Sequence, residues 1–280
     1  MVLEILQLGF IQRALISGIA VAVICSAVGL FLVLRRHSLF GDALSHMAFG
    51  GIAVGLFTNI YPIWTAIVVS VLAALGITKL RQSTKIPPDA TVAVMLSGGL
   101  ALGIVLISFS GGFNVDLFSF LFGSILLVSS EEVIMILALA AGIMAVLLPF
   151  YKKLIYITFD EEQAKVSGLQ VSKLNYLFIV LASIAVIASI RLVGILLISS
   201  LIVIPNITAM MFGKGFKKTA AISGAVAVFS VVSGISISYV ANIATGGTIV
   251  LILVVIFLIT LAAKKARRQT VKIASVKADA

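Results

Sequence analysis

Asp42 and His46 stand four residues apart in Leu39-Phe40-Gly41-Asp42-Ala43-Leu44-Ser45-His46, a stretch otherwise apolar or small. Four residues make about one helical turn, so on a helix the carboxylate and the imidazole share a face and reach one cation. An oxygen donor beside a nitrogen donor is divalent-metal chemistry. Inside a bilayer, each ionisable group costs about 2.5–3.5 kcal/mol on insertion scales, so such groups mark pathways. The same residues also fit a blander role, with Asp42 capping the helix at a wet boundary and His46 bonded to a backbone carbonyl. One Asp and one His are too few for a closed zinc site, which takes about four ligands.

A second stretch, Asp160-Glu161-Glu162-Gln163-Ala164-Lys165-Val166-Ser167-Gly168-Leu169, is the longest polar insertion between apolar runs. Its pattern predicts a short helix ending at Gly168, either lying flat to dock a partner or serving as a solvated connector. A third, Ile204-Pro205-Asn206-Ile207-Thr208, places a proline in an apolar run, where Asn206 and Thr208 either line a conduit or relieve the kink. Asp116 is an outer-side contact or a turn residue.

Other chemistries are absent. HExxH and any Ser-His-Asp set are missing, since the only other histidine is His37, which follows two arginines and faces headgroups. Phe212-Gly213-Lys214-Gly215 is not a phosphate loop: Thr208 occupies the first glycine's place and no Ser or Thr follows Lys214. Cys25 is the single cysteine, so one chain holds neither a disulfide nor a thiolate cluster.

The elements that position these residues follow from composition. The chain is 61% hydrophobic and 11% charged over 280 residues, more apolar surface than a water-soluble domain can hide. It reads as an all-α polytopic membrane protein. A net charge of +10 sits in clusters between apolar runs, the positive-inside pattern, and no nucleic-acid module is present. The start, without a basic segment or cleavage site, reads as a retained span.

About nine spans are expected, with eight as the other count. They run near 14–34, 42–57, 62–80, 90–109, 131–151, 174–190, 192–212, 219–240 and 248–263, and a basic tail, 264–280, frays. Gly50, Gly51 and Gly55 allow close helix approach in the second. Residues 113–130 are short for a crossing and suit a re-entrant or interfacial piece. If that piece does not cross, 18 of the 20 basic residues fall inside, leaving Arg13 and Arg191 outside. If it crosses, six are inside and 14 outside, so charge favours the first arrangement.

Several stretches together resemble the membrane permease of zinc/manganese ABC importers. They are Phe40-Gly41-Asp42-Ala43-Leu44-Ser45-His46, Ala164 to Gly168, Gly194 to Pro205, Val115 to Gly123 and Thr245-Gly246-Gly247. The resemblance implies a homodimeric permease in the cell membrane, spanning residues 1–263. It also implies two cytoplasmic ATPase subunits and an extracytoplasmic metal-binding protein as partners. No resident cofactor is implied: Zn2+ or Mn2+ is cargo, ATP belongs to the partner, and the chain is a transport subunit rather than an enzyme. Asp42 and His46 match the metal-contacting pair, while Asp160, Glu162, Ala164 and Gly168, in the loop at about 159–173, match the coupling helix. The Phe-Gly-Asp-x-Leu-x-His form is similar to zinc members more than manganese ones, so zinc is the expected cargo and manganese or iron the alternative. A secondary transporter using Asp42 and His46 for protons, and an intramembrane enzyme, are the competing classes. The first leaves the charged loop unexplained, and the second lacks a catalytic pair at suitable depth besides Asp42 and His46.

Overall fold

The computed structural model describes residues 9–83, 87–109, 120–123, 129–195 and 197–278. The elements are helices: α1 Gly9–Leu34, α2 Phe40–Thr58, α3 Pro62–Ser83, α4 Pro88–Phe109, α5 Ser130–Phe159, α6 Glu161–Val166, α7 Val171–Val193, α8 Ile198–Met210, α9 Phe216–Ala241 and α10 Thr245–Ala278. Among the described residues, 8 helices are long and apolar enough to cross a membrane, all but α6 and α8. A helix satisfies its backbone polar groups within one segment, which an apolar chain in lipid requires. The spans of α1, α2 and α7 are 67%, 67% and 61% buried, against 22% for α3, α4 and α10, so the helix carrying Asp42 and His46 is an inner one.

The run expected to span 192–212 is broken. Gly194 turns with φ +84°, and α8 restarts as a helix of 13 residues. The cause is a contact distant in sequence: a Cβ on Gly194 would lie 2.5 Å from the Phe122 carbonyl carbon and 2.6 Å from the Gly123 nitrogen. The Ile195 N–H donates to the Phe120 carbonyl at 2.9 Å instead of continuing the helix. The count by length is therefore eight among the described residues, with α8 a shorter apolar helix.

End contacts fix the direction of each pass. Arg35, Phe40, Thr78, Glu161 and Asn175 line one cavity, and Leu34, Phe159, Met210 and Lys214 another beside it, so these helix ends lie together. At the opposite end the Tyr61 hydroxyl donates to Glu132 at 3.1 Å and Arg13 Nη1 to Ser130 Oγ at 3.2 Å. Gly99 and Gly103 of α4 meet His46 and Phe49 of α2, so α2 and α4 run parallel. The chain thus leaves α4 and enters α5 at the same end, as the arrangement favoured by charge requires. Asp116 and most of the segment expected to be re-entrant lie outside the described residues.

The glycines of α2 do what their spacing predicted. A Cβ on Gly50 would lie 2.9 Å from the Gly99 carbonyl oxygen of α4, and one on Gly51 would lie 2.6 Å from Ala66 Cα of α3. Two ends differ from expectation. Lys152 and Lys153 do not stop α5, because lysine forms helix readily, and the stop comes at Asp160. The tail expected to fray continues α10 as helix to Ala278.

Candidate functional site

Leu39 is the N-cap of α2, without a side-chain cap bond, so Asp42 sits in the first turn and does not cap. A carboxylate there is favoured by the partial positive charge of the helix start. One turn on, His46 Nε2 lies 3.8 Å from Asp42 Oδ1, with side chains 11% and 28% exposed. His46 Nδ1 is buried without a hydrogen-bond partner, so no backbone carbonyl holds the ring. Neither half of the bland role describes these residues. The gap between oxygen and nitrogen admits one divalent ion with bonds of about 2 Å to each.

Packing sets this pair in place. A Cβ on Gly41 would lie 3.3 Å from Ile202 Cδ1 of α8, and Gly99 brings the α4 backbone against the His46 carbonyl. Ser45, between the two candidate residues, is buried and donates to the Asp42 carbonyl at 2.7 Å. Among the described residues no three of His, Cys, Asp and Glu gather into a metal-holding group, and Asp42 and His46 stand as a pair.

Asn206 and Thr208 are buried and bonded to carbonyls of their own helix. Asn206 Nδ2 donates to the Ile202 carbonyl at 2.7 Å and Ser223 Oγ donates to Asn206 Oδ1 at 2.7 Å, all buried. Gly29 of α1 leaves room for that amide, its Cβ position being 2.6 Å from Nδ2. Thr208 Oγ1 returns to the Ile204 carbonyl at 2.7 Å. Cys25 is buried too, its Sγ 3.0 Å from Ser189 Oγ. His37 lines the cavity beside Arg35 and Phe40, an inward position that its two preceding arginines did not suggest.

The charged loop forms the predicted short helix. Asp160 Oδ1 accepts from the Gln163 N–H at 2.8 Å, capping α6. Gly168, φ +80°, closes it while the Leu169 N–H donates to the Ala164 carbonyl at 3.1 Å. Ala164 is fully buried against Ile157, Val171 and Leu174, so it anchors α6 to the ends of α5 and α7 and does not face a partner. Glu161 meets Lys165 at 2.8 Å, and this hydrogen bond holds the lysine's pKa above its ordinary value. Glu162 is exposed. The outward knob is Val166, 88% exposed, with Phe159 at 69%. Sequence reasoning passed over both; the available signal was an apolar residue on an otherwise polar loop.

Residues 7–264 match the model of the ABC 3 transport family. The chain is 32% identical over 255 residues to a manganese transport system membrane protein of Listeria innocua, covering 91% of each. It is 34% identical over 251 residues to a manganese import system permease of Streptococcus gordonii, covering 90% of each. Among solved structures it is similar to PsaBC from Streptococcus pneumoniae in complex with Fab, with a TM-score of 0.84 and 34% identity over 92% of this chain and 94% of that one.

Proposed function

This chain belongs to the ABC 3 transport family and is the membrane permease of an ATP-binding-cassette metal importer, and from that premise we propose that its cargo is manganese, held in passage by Asp42 and His46. The subunit is multi-pass and non-catalytic. The architecture implies a separate ATPase and a metal-delivering binding protein. Manganese displaces the zinc expected from the Phe-Gly-Asp-x-Leu-x-His form, because the matched relatives named for a metal are manganese permeases. Ligand chemistry is compatible without deciding it: a carboxylate suits Mn2+ while an imidazole serves Zn2+ as well, and the lone thiol that would favour softer ions is bonded to Ser189.

The observation carrying this reading is the Asp42–His46 pair, one turn apart on an inner helix, with no third His, Cys, Asp or Glu gathered beside it among the described residues. Two protomers facing each other supply two Asp and two His to one ion. Such a site binds in transit and is rebuilt or opened by relative motion. The lysine- and arginine-bearing end faces the cytoplasm, α6 lies against the ATPase there, and residues 264–278 extend from it.

The test is metal-stimulated ATP hydrolysis by the permease–ATPase complex in proteoliposomes, ion by ion. Manganese is expected to stimulate most. Stimulation by Zn2+ or Fe2+ but not Mn2+ would overturn the cargo, and uptake with no ATPase present would overturn the mechanism.

A further inference from the structure

We infer that Arg35 is a positioning residue of the transport cycle, carrying displacement of α6 to α2, the helix that bears Asp42 and His46. This rests on the importer reading above. Helix α6 has no long-range route of its own to the metal pair; it hangs between the end of α5 and the start of α7. One guanidinium grips both. Arg35 Nε donates to Thr158 Oγ1 at 2.9 Å, one residue before the last of α5, and Nη1 donates to Asn175 Oδ1 at 2.8 Å in α7. The Thr158 hydroxyl is itself turned by donating to the Leu154 carbonyl at 2.6 Å, which aims its lone pair at the arginine. The guanidinium carbon sits 4.8 Å from the Phe178 ring centroid, a second hold on α7.

On its other side Arg35 is joined to α2 by four residues that are stiff. Arg36 takes φ +59°, and the His37 N–H donates back to the Leu32 carbonyl at 2.8 Å, a closed helix end with arginine where glycine is usual. The Phe40 N–H donates to the His37 carbonyl at 3.0 Å and the Ala43 N–H to the Leu39 carbonyl at 3.1 Å, so the turn passes directly into the first turn of α2. A cavity of about 450 Å3, bounded by Arg35, His37, Phe40 and Glu161, gives this linkage room to move.

The arginine is also incompletely served in this state. Its Nη2 is buried without an acceptor, an arrangement that costs free energy and favours a second state in which the nitrogen is paired. Glu161 of α6 borders the same cavity, within reach of an inward shift of that helix. Burial lowers the guanidinium pKa to about 10, opposed by Glu161, so the group stays cationic at neutral pH. A fixed planar fork holds two acceptors at once, which a lysine ammonium does not reproduce.

The experiment uses the permease–ATPase complex in proteoliposomes, measuring ATP hydrolysis, Mn2+ entry and Mn2+ binding for Arg35→Gln, Arg35→Lys, Thr158→Val and Asn175→Ala. Expected is near-normal hydrolysis and binding, with Mn2+ moved per ATP down about tenfold in both Arg35 variants and severalfold in the other two. Rescue by lysine, or hydrolysis and transport falling in parallel in Thr158→Val and Asn175→Ala, would overturn the inference, as would normal coupling in all four. Should Arg35→Gln fail to assemble, the Thr158 and Asn175 variants decide alone. Wild-type uptake without ATP would instead sink the importer reading, a distinct result.

Discussion

Gly99 of α4 packs directly on the backbone of His46: a Cβ at position 99 would lie 2.5 Å from the His46 carbonyl carbon and 2.6 Å from the Met47 nitrogen. The His46 imidazole is thus set by a neighbouring helix that packs on its backbone. Gly99→Ala is expected to push α2 aside, cost about 1–3 kcal/mol and weaken Mn2+ binding. Gly98→Ala is the control, since nothing lies within 4 Å of its Cβ position. Isothermal titration and thermal melting of both variants check this; equal behaviour would show that the contact relaxes freely.

Removing either ligand should separate transport from assembly. Asp42→Ala and His46→Ala each remove one of the two candidate donors that the described residues bring together. Mn2+ uptake is expected to fall by at least about a hundredfold, as loss of one strong ligand in a sparse site implies. Co-purification with the ATPase should persist, because the pair lies in α2 and not in α6. Normal uptake in both variants would remove the pair from the pathway.

Acid should act on the same pair. Neutral imidazole binds metal and imidazolium does not, so lowering pH by about two units below neutral is expected to weaken Mn2+ affinity at least about tenfold. The sign follows from competition: protons displace the ion, so affinity rises with pH. His37→Ala should keep the full acid sensitivity, since that ring lies in the cavity beside Arg35. A pH-independent dissociation constant would argue against imidazole ligation.

Local pattern accounted for much of this architecture. The turn-spaced Asp42 and His46, the small-residue face of α2, and the capped helix ending at Gly168 were all visible because each depends on neighbours in sequence. What escaped was non-local. The break at Gly194 exists because the Phe120–Gly123 segment presses on it from over seventy residues away. Lys152 and Lys153 looked like a helix end because they end the apolar run, yet lysine extends a helix past the membrane as readily as within water. Ala164 matched a partner-facing motif but packs inward, and only coordinates distinguish the two faces of a helix of 6 residues. The metal was not legible for a different reason: an Asp and a His spaced by four serve either ion.

The coupling helix yields the sharpest contrast between neighbouring positions. Val166 is 88% exposed, so Val166→Asp should leave folding within about 0.5 kcal/mol of wild type while weakening ATPase capture. Ala164 is 0% exposed, so Ala164→Leu overpacks its pocket, costs about 1–3 kcal/mol and displaces α6 bodily. Gly168→Leu finds open space for its side chain but a φ of +80°, which a branched residue tolerates poorly. It is expected to distort the helix exit and lower Mn2+ moved per ATP without lowering hydrolysis. Thermal melting, ATPase co-purification and coupled transport together separate the three. If Val166→Asp captures the ATPase as wild type does, the outward knob of α6 is not what the motor grips.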